Sequence, residues 1–269
     1  MLFQLKYLIV ARKETYRLRY TNKMMDTGQP SEKPVRKERI AIDPAVQLPY
    51  LEGKVLLIDK PLHWTSFDMV RKLRSLLQIK KIGHAGTLDP LATGLLIICT
   101  GKFTKKINEY MAREKEYTGH FTIGAITPTY DLESLPEQPK DIAFVTPEMI
   151  HAATTQFVGD IDQFPPIFSA IKKDGVAMYE LARRGVDVKM EPRKVNISQF
   201  DIVSINLPVV EFKIVCSTGT YIRSIANDFG AALGCGAYLS SLRRTRIGEF
   251  TTDQAVSLEE LEASLVQHS

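Results

Sequence analysis

The sequence predicts an α/β protein, because segments with strand patterning alternate with segments that carry helix start signals. Residues 95–99 form a short apolar run between two glycines, which is typical of a strand buried on both faces. Residues 197–205 and 209–216 alternate between apolar and polar side chains, as half-buried strands do. With 269 residues, 44% of them hydrophobic, the chain can bury the core of one large domain or two small ones.

A strand and a capped helix are predicted ahead of that buried run. Residues 53–59 have strand patterning that ends at the Lys60-Pro61 turn. Thr65 offers a hydroxyl N-cap to the next helix, and Asp68 places an acid in its first turn. The apolar residues that follow recur at helical spacing, so one face of this helix should pack on the sheet.

Composition predicts three parts in the chain. Residues 1–48 are predicted to be an N-terminal extension that is partly flexible, because much of this stretch is rich in charged residues and proline and poor in large apolar ones. Residues 49–252 form the main domain. Residues 253–269 are predicted to be a C-terminal amphipathic helix.

The most unusual stretch is GHAGTLDPLATG, residues 83–94, which lies directly before the buried strand. Its three glycines and one proline exclude a regular helix or strand and predict a shaped loop. The loop presents Asp89 at the end of the sheet, with His84 close by in sequence. An aspartate before proline is also a common turn dipeptide, but glycines on both sides favour close approach of a ligand.

Composition also limits the function classes. The net charge of +4 is compatible with a nucleic-acid partner only if the basic residues cluster. The three cysteines and five histidines show no spacing typical of a metal site, so the cysteines are predicted to be buried thiols of a cytoplasmic protein and no metal is expected. The sequence contains no apolar run long enough to cross a membrane.

Basic residues do cluster at three places in the sequence. Lysines at the start of a predicted helix oppose its macrodipole, which favours a nearby anion. Each cluster could equally be a solvated surface, but together they predict contacts with RNA phosphates. The residues assigned to these contacts are Lys102, Lys105, Arg183, Arg184, Arg243 and Arg244.

These motifs resemble those of one enzyme family. GHAGTLDPLATG strongly resembles the signature loop of TruB-type tRNA pseudouridine synthases, and LLIDKP with TSFD resembles the opening motif of that family. Residues 127–131 resemble its T-x-T-x-D loop, although Ser134 stands where the family has glycine. Residues 163–172 resemble a double-proline motif of the family, with Phe168 in place of the usual tyrosine, and GTYIR at 219–223 resembles its third motif.

The resemblance implies a pseudouridine synthase fold, with a mixed, mostly antiparallel central sheet flanked by helices and loops, in a short form without the PUA domain. It also implies roles for individual residues. Asp89 would be the catalytic residue, Arg223 its ion-pair partner, and Tyr117 the aromatic that stacks on the target base. The remaining substrate contacts are assigned to His84, Tyr221, Leu242 and Asp68.

By the same resemblance, the substrate is uridine-55 in the TΨC arm of tRNA, and the enzyme is expected to be a monomer that needs no cofactor. Breaking a glycosidic bond leaves positive charge on the sugar carbon, which a carboxylate can stabilise. Asp89 could attack C1′, stabilise the cation electrostatically, or remove a C2′ proton, and the sequence does not choose between these routes.

Two other functions compete with this interpretation. The protein could be an RNA chaperone that folds tRNA, with catalysis secondary. It could also be a hydrolase that uses Asp89 on a small nucleoside. Against the hydrolase, the loop has no second carboxylate beside Asp89, and an uncharged substrate would leave the basic clusters without a purpose.

Overall fold

The computed structural model of the chain describes residues 42–169, 172–173, 176–178 and 190–266. The helices there are α1 to α6 in chain order, at Pro44–Glu52, Ser66–Leu77, Ile107–Met111, Pro147–Thr154, Ile222–Ala232 and Leu258–Val266. Short 3₁₀ helices lie at Gly101–Lys106, Thr155–Phe157 and Thr252–Gln254. The strands β1 to β11 lie at Val55–Lys60, Ile82–Ala85, Ala92–Thr100, Lys115–Ile123, Gly159–Gln163, Lys172–Lys173, Val176–Ala177, Arg193–Asn206, Val209–Cys216, Ala237–Ile247 and Phe250–Thr251.

One mixed sheet organises the described residues. Its strand order is β1-β3-β10-β4-β9-β8-β5, with β2 paired to β3 and β11 paired to β10. The β3–β10 pair is parallel and the other pairs in this sheet are antiparallel. The predicted mixed, mostly antiparallel sheet flanked by helices is confirmed.

The strand predictions agree closely with the burial pattern. β3 is buried on both faces from Gly94 to Thr100, because helices and strands cover both sides of it. β4 alternates buried and half-buried residues along its whole length. β8 and β9 form the predicted hairpin, joined by Leu207 and Pro208.

Three apolar clusters hold the layers together. The largest lies between α5 and the β4–β9–β8 part of the sheet, where Phe121 stacks on Phe212 at 4.1 Å between ring centroids. The second joins α1, α2 and α6 to β1 and β3, and the third lies under β2, β3 and α3. Cys99, Cys216 and Cys235 are free and buried, as predicted.

Two sequence predictions need a closer description. The boundary predicted at residue 48 falls inside α1, which begins with an Asp43 cap and a proline in its first turn and buries Tyr50 against the second cluster. Arg183 and Arg184 lie outside the described residues.

Candidate active site

The loop between β2 and β3 is held by hydrogen bonds on both sides of Asp89. The Ser66 hydroxyl accepts from the Leu88 N–H at 2.8 Å and donates to the Leu88 carbonyl at 3.2 Å. The Asp89 carbonyl accepts from the Ala92 N–H at 3.0 Å, and the Pro90 carbonyl accepts from the His63 N–H at 2.8 Å. The backbone is therefore fixed while the Asp89 side chain stays 37% exposed.

Arg223 pairs with Asp89 from a remote part of the chain. Its Nε lies 2.9 Å from Asp89 Oδ2, and its side chain is only 6% exposed. The contact is an ion pair rather than an aligned hydrogen bond, because the N–H of Nε does not point at the oxygen. Nη1 donates to the carbonyls of Thr129 and Phe168, and Nη2 also donates to Phe168. The guanidinium is thus locked beside Asp89, where the resemblance placed it.

The double-proline segment positions the start of α5. Gln163 exchanges two hydrogen bonds with the backbone of Tyr221, at 2.8 and 3.1 Å. The Phe164 carbonyl accepts from the Ser224 hydroxyl at 2.7 Å. A segment with two prolines suits this task, because its fixed extended backbone offers carbonyls to a helix end without requiring sheet partners.

A second carboxylate, Asp131, lies on the same guanidinium. Its Oδ2 is 3.7 Å from Arg223 Nε, and the residue is 3% exposed. Its Oδ1 accepts from the Thr129 hydroxyl at 2.7 Å and the Glu133 N–H at 2.9 Å. Burial raises the pKa of Asp131, and Arg223 opposes that shift.

Sequence reasoning gave Asp131 no role, although the T-x-T-x-D pattern marked its position. The statement that no second carboxylate accompanies Asp89 holds for the loop but not for the folded site. Asp131 differs from Asp89 in being almost fully buried, with its Oδ1 held by hydrogen bonds from Thr129 and Glu133. Ser134, which replaces the expected glycine, bonds Thr129 through its hydroxyl at 2.7 Å and closes this loop.

A narrow cleft opens in front of Asp89. It is lined by both carboxylates and by the first half of β10, where Leu242 pairs with Ala92 of β3. The lining residues are Asp89, Leu91, Ala92, Asp131, Leu239, Ser240, Ser241 and Leu242. Leu242, for which the resemblance implies an apolar substrate contact, lines this cleft.

Two tyrosines border the site. Tyr117 on β4 is 8% exposed and belongs to the largest apolar cluster, whereas Tyr221 at the start of α5 is half-buried. Burial raises the pKa of both hydroxyls, so both stay protonated at neutral pH. Tyr117 lies opposite Arg244 in the β4–β10 pair.

His84 is held as a neutral imidazole. Its Nε2 lies 3.1 Å from the Thr87 hydroxyl. Burial lowers its pKa, and the nearby Arg244 guanidinium lowers it further. At neutral pH the ring can therefore exchange hydrogen bonds but brings no charge to the loop.

The predicted phosphate contacts divide into different environments. Lys102 and Lys105 are exposed on the 3₁₀ helix after β3. Arg243 is half-buried and makes a bidentate pair with Asp59, at 2.7 and 3.0 Å. The prediction that Arg244 contacts a phosphate needs correction. This side chain is 1% exposed and donates to backbone carbonyls under the signature loop instead of reaching the surface.

Asp68 also has a different task from the one assigned to it. Its carboxylate accepts from the Thr65 N–H and hydroxyl, at 3.2 and 2.6 Å, and so closes a capping box at the start of α2. It also pairs with Arg71 at 2.7 Å. A charged residue three positions after a threonine cap is occupied by the helix end, which argues against a substrate contact.

Sequence reasoning missed two buried lysines near the site. Lys60 is fully buried and donates to the carbonyls of Pro61 and Trp64, at 2.9 and 2.6 Å. Lys115 is 5% exposed and donates to the carbonyls of Met111 and Arg113. Burial lowers the pKa of each to about 8. The Lys60-Pro61 turn gave a signal for the first, and Lys115 gave none.

Within the described ranges, no group of three or more His, Cys, Asp or Glu side chains could hold a metal ion. A search of the same residues for a helix long and apolar enough to cross a membrane finds none.

Comparison with known families gives two adjoining matches. The model of the TruB family pseudouridylate synthase N-terminal domain matches residues 74–222. The model of the tRNA pseudouridylate synthase B C-terminal domain matches residues 223–269. Asp89 and Arg223 thus fall in different matched segments.

Similar proteins include the tRNA pseudouridine synthase B of Flavobacterium johnsoniae, which is 56% identical over 223 residues and aligns over 80% of this chain and 97% of that protein. The tRNA pseudouridine synthase B of Parabacteroides distasonis is 45% identical over 225 residues, covering 81% of this chain and 96% of that protein.

Similar solved structures include a Cbf5-Nop10-Gar1 complex, with a TM-score of 0.64 and 27% identity over 84% of this chain. An H/ACA RNP bound to a substrate RNA containing 2′-deoxyuridine gives a TM-score of 0.59 and 26% identity over 80% of this chain. This chain spans 61% and 53% of the length of those two solved chains.

Proposed function

Because the chain belongs to the TruB family of pseudouridine synthases, we propose that it isomerises uridine-55 in the TΨC loop of tRNA to pseudouridine, with Asp89 as the catalytic nucleophile. The proposal takes its reaction and its tRNA substrate from relatives named tRNA pseudouridine synthase B. One observation in this chain carries it, namely the 2.9 Å ion pair between Asp89 and Arg223 at the mouth of a cleft.

The reaction breaks the bond from C1′ to N1 and joins C1′ to C5 of the same base, so no atoms are gained or lost. Asp89 supplies an ionised carboxylate that is partly exposed and rigidly presented. Arg223 supplies a fixed positive charge beside it. A preorganised pair of this kind stabilises charge on the sugar without reorganising during the reaction.

The target uridine must leave its stack to reach Asp89, because the carboxylate lies at the mouth of a narrow cleft. Tyr117 and Tyr221 would offer aromatic surface to the flipped base, and Leu242 an apolar contact. His84, neutral and hydrogen-bonded to Thr87, would assist the rearranged loop of the RNA. Both tyrosines remain protonated at neutral pH, so their hydroxyls can donate a hydrogen bond to a base carbonyl.

RNA phosphates would contact the exposed Lys102 and Lys105, together with Arg183, Arg184 and the half-buried Arg243. Such contacts orient the T arm without reading its sequence. We further propose that the protein acts as a monomer in the cytoplasm and uses no cofactor, because the isomerisation needs neither a redox partner nor a group donor.

The test compares Asp89→Asn with the matched control Asp162→Asn, which changes an exposed aspartate on β5. Unmodified tRNA is incubated with each protein, pseudouridine is mapped at single-nucleotide resolution, and tRNA binding is measured separately. We expect Asp89→Asn to abolish pseudouridine at position 55 while tRNA binding stays within about threefold of the parent. The control should retain both.

Three outcomes would contradict the proposal. Pseudouridine formation by Asp89→Asn would remove the carboxylate from the chemistry, and tRNA refolding without any modification by the parent would favour the chaperone. Release of free uracil from tRNA or uridine would indicate the hydrolase instead.

A further inference from the structure

Arg244 is the bulkiest of the fully buried side chains among the described residues, with 1% of its surface exposed. It lies on β10, opposite Gly94 of β3 on one side and Tyr117 of β4 on the other. The centre of the sheet is an unfavourable place for a guanidinium, because burying a charge costs free energy unless nearby groups compensate it. The contacts of this side chain therefore need a physical explanation.

Every nitrogen of the guanidinium faces a backbone carbonyl of the signature loop or of the strand that follows it. Nε donates to Leu95 at 2.8 Å and Nη2 donates to Gly86 at 3.0 Å. Nη1 lies at the longer distance of 3.5 Å from the Thr87 carbonyl. Arg244 thus joins the segment that leads into Asp89 to the strand that leads away from it.

No carboxylate lies within ion-pair distance of Arg244 in the part of the chain that the structure describes. Three carbonyl dipoles face its charge instead, which suits a planar group with five donors in a fixed fork. Lysine has the same charge but cannot reach three carbonyls in this geometry. These contacts therefore require the shape of the arginine side chain as well as its charge.

The other anchors of the loop lie further along it. Ser66 holds Leu88, and the His63 N–H holds Pro90. Between the end of β2 and Leu88, the backbone carbonyls that accept a hydrogen bond from a side chain among the described residues do so from Arg244, whereas His84 contacts only the side chain of Thr87. Without it, two peptide groups directly before the Leu88 anchor would lose their partners, and the direction of the Asp89 side chain would no longer be fixed from that side.

We propose that Arg244 is a positioning residue for the reaction, which holds the catalytic loop from behind and does not touch RNA. The proposal rests on the proposed function, because its catalytic readout needs pseudouridine formation. It differs from the sequence expectation that Arg244 contacts a phosphate, and the two alternatives predict opposite effects on binding and turnover.

The experiment compares Arg244→Met and Arg244→Lys in the full chain. Arg113→Met serves as the control, since Arg113 is partly buried and pairs with Glu109 and Glu249 away from the loop. Three quantities are measured for each protein: the single-turnover rate at saturating tRNA, the dissociation constant for tRNA at several salt concentrations, and amide hydrogen exchange of residues 83–95 and 209–216.

We expect Arg244→Met to lower the single-turnover rate about 100-fold, since a misplacement of about 1 Å has an effect of that size. Its dissociation constant should stay within about threefold of the parent, with the same salt dependence. Exchange should rise in residues 83–95 and stay unchanged in 209–216. Arg244→Lys should retain the charge but lose the forked geometry of the guanidinium. Its rate should therefore lie between those of the parent and Arg244→Met, with the same rise in exchange at residues 83–95. Arg113→Met should keep the parental rate.

Three results would overturn the proposal. A folded Arg244→Met with a rate within about threefold of the parent would show that the loop needs no such clamp. Weaker tRNA binding with a salt slope reduced by about 1 and an unchanged rate would make Arg244 a phosphate contact. Exchange that rises equally in both segments would reduce its role to general stability.

If Arg244→Met does not fold, Arg244→Lys decides the question by the same criteria. A parent protein that forms no pseudouridine would refute the proposed function separately. The exchange measurement would then still show whether Arg244 holds residues 83–95.

Discussion

Replacing Arg223 by methionine should destabilise the protein strongly, because it leaves the Asp131 carboxylate buried without its cation. Asp131 is 3% exposed, and Arg223 Nε is 3.7 Å away. Breaking a buried ion pair from one side costs about 3–5 kcal/mol. Asp89 adds little to this loss of stability, because a carboxylate that is 37% exposed can be rehydrated. For a domain of this size, the loss corresponds to a fall in Tm of about 6–20 °C.

The loss should depend on pH with a definite sign. Burial already raises the pKa of Asp131, and removing Arg223 removes a group that lowers it. A carboxyl whose pKa is higher in the folded state binds a proton on folding. The loss of stability in Arg223→Met relative to the parent should therefore be smallest in acid and should grow as the pH rises through that raised pKa.

A double variant separates charge from packing. Arg223→Met combined with Asp131→Asn removes the uncompensated carboxylate while keeping its size, so it should regain about 2 kcal/mol or more at pH 7 without regaining turnover. Urea unfolding at pH 5 and pH 7, together with single-turnover pseudouridine formation, measures both effects. The reasoning fails if Arg223→Met unfolds at the same urea concentration as the parent, or if the double variant is no more stable than the single one.

Three further predictions concern the frame around the site. Thr65→Ala should cost about 1 kcal/mol in urea unfolding, because it removes half of the capping box, and Thr65→Ser should restore most of it. The parent should gain stability relative to Lys115→Met as the pH rises from about 8 to about 10, because Lys115, with a folded pKa of about 8, loses its proton in the folded state before it does so in the unfolded chain. A stability difference that is constant over this range would contradict the assignment. Gly94→Ala should be much more destabilising than Gly219→Ala, because both have positive φ but only at Gly94 would the new Cβ lie 2.3 Å from the Arg244 carbonyl. Thermal unfolding of the two variants side by side checks this, and equal losses would refute it.

Local pattern was enough to predict most of the elements. The threonine cap of α2, the doubly buried β3 and the β8–β9 hairpin each depend on signals within a few residues, and the structure has all three. The start of α1 depends in addition on contacts that are remote in sequence, because Tyr50 is buried in a cluster built from residues that come later in the chain.

The site was predictable only where a motif marked a residue. Asp89 stood out by its loop, but the contact of Asp131 with Arg223 joins segments more than ninety positions apart, and no local pattern records it. Arg244 was misplaced because arginines close together in sequence look like a basic surface. Its burial follows from the position of β10 between β3 and β4. That position is determined by the pairing of strands that are remote in sequence.

The fixed backbone around Asp89 has a consequence for which RNAs can react. A loop that is hydrogen-bonded at successive peptide groups does not change its conformation when the substrate binds, so the conformational change must occur in the nucleic acid. Unpairing and unstacking are easiest at loops and bends and hardest in regular helices. The enzyme would therefore select uridines chiefly by how easily each one can be unpaired and unstacked.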